Sequence, residues 1–129
     1  MKIDHVGIAV RSLEAAVKAY EALGLKVSST DTVASEAVKV AFLPVGDTRL
    51  ELLEPATPES SIAKSIEKRG EGVHHIALNV EDIEAAMRTA KEAGMQLVNE
   101  TPRIGAHGRK IAFIHPKSTS GVLLELVQG

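Results

Sequence analysis

Residues 3–27 read IDHVGIAVRSLEAAVKAYEALGLKV, and residues 73–97 read VHHIALNVEDIEAAMRTAKEAGMQL. The two stretches align without a gap at an offset of 70 residues, so that His5 falls on His75. A repeat that spans half of the chain indicates a duplicated supersecondary unit rather than a short solenoid period. This repeat decides the fold.

Each copy begins with an apolar strand and continues into a helix. Ser12 and Asp82 stand at the N-cap positions of these helices, and Gly24 and Gly94 follow their ends. Three further strands are predicted in each copy, near 26–34, 37–44 and 47–54 and near 96–99, 109–115 and 121–127. The sequence therefore predicts an α+β fold of two tandem βαβββ modules, whose strands form a curved mixed sheet around a metal-binding cavity.

A chain of 129 residues has the length of a single domain. We expect module one over about 1–55, a linking helix over about 57–70 and module two over about 71–129. In the linking segment, Thr57 is the predicted N-cap, Pro58 the first helical residue and Gly70 the end. The repeat is compatible with pairing of the modules within one chain or between two chains.

Composition excludes several classes of function. A net charge of −2 and an aromatic content of 2% disfavour nucleic-acid binding, which uses basic patches and stacking faces. The absence of cysteine excludes disulfides and thiolate zinc sites. No signal peptide and no apolar run of membrane-spanning length are present. We expect a cytoplasmic protein with no nucleic-acid partner and no membrane association.

Strand parity assigns four polar residues to one face of the sheet. His5 alternates with Asp4 and Val6, and His75 takes the same position in the second copy, which leaves His74 on the opposite face. The corresponding late strands carry Glu51 and Glu125, each between two leucines. A hydrogen-bonded polar pair in each module would explain these residues, but burying two carboxylates together is costly unless a cation neutralises them. The favoured interpretation is a site for a divalent first-row ion: zinc, cobalt, nickel or manganese.

Two loops of the second module contain glycine and serine: IGAHGRK (104–110) and HPKSTSG (115–121). They could form a lid and an anion-binding turn. Their spacing favours ordinary hairpin loops, because Gly and Pro mark turns of every kind.

The motifs IDHVGIAV, ELLEP, RGEGVHHIA, IGAHGRKIAFIHPKS and GVLLEL resemble the methylmalonyl-CoA epimerases of the vicinal oxygen chelate superfamily, over nearly the whole chain. The resemblance implies an isomerase that interconverts the 2R and 2S epimers of an acyl-CoA substrate, methylmalonyl-CoA. It implies a homodimer and a divalent cofactor, with cobalt favoured. The metal ligands of the family map to four residues: His5, Glu51, His75 and Glu125.

The same resemblance implies two groups that move the C2 proton. The metal-bound glutamate of the last strand maps to Glu125. Where a relative carries its second catalytic glutamate, this chain has Lys39, which parity places on the cavity face, opposite to Val38 and Val40. Lys39 could transfer a proton, hold the substrate carboxylate or reach solvent.

Other functions compatible with the pattern are a glyoxalase, a ring-cleaving dioxygenase and a metal-free small-molecule binding protein of the same fold. The fourth ligand and the short chain count against the dioxygenase. The complete ligand set counts against the metal-free protein.

Overall fold

The computed structural model describes residues 1–129 and contains the βαβββ order twice, with a helix between the two copies. The elements are β1 Lys2–Ala9, α1 Leu13–Glu21, β2 Ser29–Val33, β3 Val38–Val45, β4 Thr48–Pro55, α2 Ser61–Arg69, β5 Gly72–Val80, α3 Ile83–Glu92, β6 Arg103–Ile104, β7 Lys110–Ile114 and β8 Leu124–Gln128. The α+β class and the two βαβββ modules are confirmed. The chain divides into two compact units, residues 5–74 and residues 1–4 with 75–129. The extent of the domain and its internal boundaries stay a prediction.

In the unit of residues 5–74, the strands lie in the order β2-β3-β4-β1. The β1–β4 pair is parallel and the other pairs are antiparallel. Helix α1 packs on β3 and β4, and α2 packs on β4. The core beneath α1 is mostly aliphatic: it combines buried Val10, Ala41, Leu43 and Leu52 with a helix face of Leu13, Val17 and Tyr20. This core covers one side of the sheet and leaves the other side for polar residues.

The unit of residues 1–4 and 75–129 repeats this plan. Its strands lie in the order β5-β8-β7-β6, with β5 parallel to β8. Helix α3 packs on β7 and β8. Its apolar face is buried in a core of seven residues: Val80, Ile83, Met87, Ala90, Ala112, Ile114 and Leu126.

Helices α1 and α3 begin in the same way, with two side-chain caps each. Ser12 Oγ accepts from the backbone N–H of Ala15, and Asp82 Oδ1 accepts from that of Ala85. The last strand of each module supplies the second cap: Glu54 Oε1 accepts from Leu13 N at 2.8 Å, and Gln128 Oε1 accepts from Ile83 N at 2.9 Å. These bonds satisfy N–H groups that have no partner within the helix. They also tie each helix to the strand that carries a predicted glutamate ligand.

The linking helix begins later than predicted. It spans Ser61–Arg69, and its N-cap is Ser60, whose Oγ accepts from Ala63 N at 3.0 Å. Thr57 is not the cap, because its carbonyl accepts from Ser60 N–H and forms a turn ahead of the helix. Gly70 ends the helix as predicted, with φ at +81°, a conformation that glycine adopts at little cost.

The strand predicted near 96–99 is reduced to an isolated bridge between Leu97 and Ile114. Val98 N–H donates to the carbonyl of Phe113, but Asn99 then accepts from Phe113 N–H with its side chain instead of its backbone. Because the side chain of Asn99 takes the place of its backbone carbonyl as the acceptor, the backbone hydrogen bonds between this segment and β7 end here. The short strand β6 follows instead at Arg103–Ile104.

The start of α2 is testable by removing each candidate cap. Ser60→Ala should lower the free energy of unfolding by about 1 kcal/mol, because the N–H of Ala63 loses its acceptor. Thr57→Ala is the matched control and should cost less than half as much. Urea denaturation followed by circular dichroism measures both changes in the free energy of unfolding. A larger loss of stability for Thr57→Ala would contradict Ser60 as the cap and would indicate that the helix starts near residue 57.

Candidate metal centre

In the unit of residues 5–74, His5 and Glu51 form a buried pair. His5 Nδ1 lies 3.1 Å from Glu51 Oε2, and the two residues are 3% and 5% exposed. The parallel register sets Gly7 opposite Glu51, so His5 and Glu51 share one face of the sheet. Leu50 and Leu52 alternate with Glu51 and pack in the core beneath α1. The parity predicted for this strand is correct.

The unit of residues 1–4 and 75–129 holds the equivalent pair. His75 Nε2 lies 3.1 Å from Glu125 Oε1, and the residues are 6% and 5% exposed. Ala77 stands opposite Glu125 in the parallel β5–β8 register, and Leu124 and Leu126 pack towards α3. His74 precedes His75 on β5, is half-buried and points to the alternate side of the strand.

Sequence reasoning missed the two phenylalanines that flank these pairs. Phe42 stands opposite Glu51 across the β3–β4 ladder, and Phe113 stands opposite Glu125 across β7–β8. The ring of Phe113 meets that of His75 edge to face, with centroids 5.7 Å apart and planes at 88°. The signal was present in the repeat, where VAF (40–42) corresponds to IAF (111–113).

Arg49 was also missed. Its Nε donates to Glu51 Oε2 at 2.9 Å, and its guanidinium lies 5.5 Å from the centroid of the Phe42 ring. Two residues apart on β4, Arg49 and Glu51 project from the same face. A cation therefore accompanies one of the two predicted glutamate ligands.

The predicted position of Lys39 is wrong. In the β3–β4 register Lys39 stands opposite Glu54 and Phe42 stands opposite Glu51, so Lys39 lies on the helix-covered side of the sheet. Its side chain is 55% exposed, and its Nζ lies 3.8 Å from Glu54 Oε2. The prediction failed because both faces of β3 carry buried residues, and alternation of apolar residues then does not distinguish the faces. Lys39 therefore does not share the face that carries Glu51, and its role in proton transfer stays a prediction.

The two predicted loops are stabilised by local contacts. In HPKSTSG, His115 Nδ1 accepts from Lys117 N, and Gly121 N–H donates to the carbonyl of Pro116. At the end of IGAHGRK, Arg109 donates two hydrogen bonds, at 2.8 and 2.7 Å, to the buried carboxylate of Asp4. These contacts agree with the interpretation as hairpin loops.

The donor set suits a divalent cation. Each buried pair offers imidazole nitrogen and carboxylate oxygen, the ligands that zinc, cobalt, nickel and manganese accept. A carboxylate as buried as Glu51 or Glu125 is costly without a positive partner. The residues present therefore fit the predicted ion.

No helix in the structure has both the length and the apolar character needed to cross a membrane.

Comparison with known proteins identifies a matching family and several relatives of this chain. Residues 4–113 match the family model of the glyoxalase/bleomycin resistance protein/dioxygenase superfamily. The uncharacterized protein YqjC of Bacillus subtilis is 42% identical over 98% of this chain and 91% of its own length. An ethylmalonyl-CoA/methylmalonyl-CoA epimerase of Cereibacter sphaeroides is 42% identical over 98% of this chain and 97% of its own.

A solved structure of a relative has the same fold as this chain. A Streptomyces coelicolor methylmalonyl-CoA epimerase in complex with 2-nitronate-propionyl-CoA superposes with a TM-score of 0.94 at 38% identity. The match covers 100% of this chain and 94% of that one. The resemblance to methylmalonyl-CoA epimerases expected from the sequence is confirmed.

The burial of the two neighbouring histidines predicts opposite results for their removal. His75→Ala should weaken binding of Co²⁺ by more than ~100-fold, since even the loss of an outer partner of a ligand costs 10–100-fold. His74→Ala should change the affinity by less than ~3-fold, because its side chain occupies the other side of β5. Calorimetric titration of the metal-free proteins measures both affinities. Loss of the ion in His74→Ala with retention in His75→Ala would move the ligand register by one residue.

Proposed function

Because the chain belongs to the glyoxalase/bleomycin resistance protein/dioxygenase superfamily, we propose that it is a metal-dependent epimerase that interconverts the 2R and 2S epimers of methylmalonyl-CoA. The observation that carries the proposal is the buried His–Glu pair found in each repeat copy, 3.1 Å apart in both cases. Matches to epimerases at about 40% identity, which cover nearly the whole of both chains, support the substrate class.

The metal-binding part of the proposal uses both pairs. We propose that His5, Glu51, His75 and Glu125 hold one divalent ion, with cobalt favoured by the family and zinc, nickel or manganese also suited to the donors. When bound there, such an ion supplies Lewis acidity that stabilises negative charge on the thioester oxygen of the substrate. Phe42 and Phe113 stand opposite Glu51 and Glu125 on the neighbouring strands, and both carboxylates are buried.

Glu125 is the proposed proton-transfer group. Its Oε1 lies 3.1 Å from His75 Nε2, and its neighbours on β8 are leucines. A carboxylate in this setting removes the C2 proton from one face of the substrate. Return of a proton from the opposite face, by a group other than Glu125, inverts the centre.

The chain should therefore exchange the C2 proton of methylmalonyl-CoA with solvent. Incubation of the Co²⁺-loaded protein with the 2R epimer in deuterated water should give the 2S epimer with deuterium at C2, detected by mass spectrometry. Ethylmalonyl-CoA, which the name of the Cereibacter relative includes, serves as the competing substrate. Absence of exchange with either thioester would overturn the proposed reaction.

Glu125→Gln tests the assignment of the base. The amide keeps an oxygen for the ion, so metal affinity should stay within ~10-fold of wild type. Epimerisation should fall ~100-fold or more, the magnitude typical for loss of a general base. Glu92→Gln, an exposed change of the same kind on α3, is the control. Turnover near the wild-type level in metal-loaded Glu125→Gln would rule out the assignment.

The predicted homodimer and cytoplasmic location stay predictions. Sedimentation at micromolar concentration decides the first.

A further inference from the structure

Glu51 has an arginine two residues before it on its strand, where the repeat-related Glu125 has a leucine. We propose that Arg49 is a positioning residue that holds one oxygen of Glu51 and offsets its charge, so that Glu51 serves the site as a metal ligand. The inference rests on the metal site of the proposed function.

The geometry holds Arg49 in one arrangement. Its Nε lies 2.9 Å from Glu51 Oε2, a distance typical of a charge-assisted hydrogen bond. The Arg49 side chain is 24% exposed, so it is mostly withdrawn from water. Its guanidinium lies over the ring of Phe42, which adds a cation–π contact. A surface ion pair lacks these supports, and its partners exchange with solvent.

The second module has no counterpart of this cation on the same strand. Glu51 corresponds to Glu125, and Arg49 therefore corresponds to Leu123. His5 and His75, and Phe42 and Phe113, keep their identity between the copies. Position 49 therefore differs between two strands that keep their glutamate in register.

This difference has a chemical consequence. A carboxylate that shares its charge with a guanidinium donates less negative charge to a bound cation. Outer partners of this kind orient ligands and tune the metal they hold. Glu51 thus completes the proposed ligand set while reducing the Lewis acidity of the site less than a carboxylate without a guanidinium would.

Metal titration and kinetics of Arg49→Met test the proposal. With the cation removed, Glu51 carries its full charge, and the stronger Coulombic attraction should make Co²⁺ bind about 10-fold more tightly while kcat falls about 10-fold and KM stays within ~2-fold. Arg49→Lys keeps a positive charge and should restore affinity and kcat to within ~3-fold of wild type. Arg88→Met, on the exposed side of α3, is the matched control.

The double variant Arg49→Met/Glu51→Gln tests whether Arg49 acts through Glu51. If Arg49 acts through Glu51, then Arg49→Met should change the Co²⁺ affinity by less than ~2-fold in the Glu51→Gln background. An equal effect in both backgrounds would overturn the proposal, as would weaker binding in Arg49→Met. A rise in KM with unchanged metal affinity would overturn it too, because Arg49 would then bind substrate directly.

These results separate the two proposals. If the protein binds Co²⁺ and shows the predicted coupling but does not epimerise methylmalonyl-CoA, the proposed reaction is wrong. The proposed effect of Arg49 on metal affinity is then still supported. A wild-type protein that binds no divalent ion overturns both.

Discussion

The structure depends on a carboxylate held beside an imidazole in the buried face of a sheet, once in each module. Glu51 and Glu125 each sit between leucines that pack under a helix, and each lies 3.1 Å from a histidine. Placing a carboxylate in such surroundings costs several kcal/mol by order of magnitude unless a positive partner is present. A divalent ion is the partner that this donor set suits, and the surrounding structure keeps both donors of each pair in place.

Strand alternation and helix attachment provide that support. One face of β4 and of β8 is fixed by its leucines in the aliphatic core, so the glutamates have only the other face. Three residues further along the same strands, Glu54 and Gln128 cap the first N–H groups of α1 and α3. Core packing and helix capping therefore both restrict sliding of these strands, which would displace the ligands.

The sequence repeat was sufficient to predict both modules and to predict that His5 shares a sheet face with Glu51, and His75 with Glu125. These predictions rest on period-two alternation within single strands, which requires no knowledge of neighbouring strands. Lys39 was placed on the wrong face because β3 is buried on both sides, so only its register with β4 distinguishes the faces. Arg109 and Asp4 are 105 positions apart in the chain, and no local pattern signals their ion pair. The start of α2 was missed because Thr57 and Ser60 are both acceptable caps, and the backbone turn decides between them.

We propose that the two His–Glu pairs share one ion. X-ray absorption spectroscopy of the Co²⁺-loaded protein, with cobalt quantified per chain, measures this. One ion per chain is expected, with two imidazole nitrogens and carboxylate oxygens at about 2.0–2.2 Å, as is usual for such ligands. Two ions per chain, or a single imidazole in the coordination shell, would show that the pairs act separately and do not share an ion.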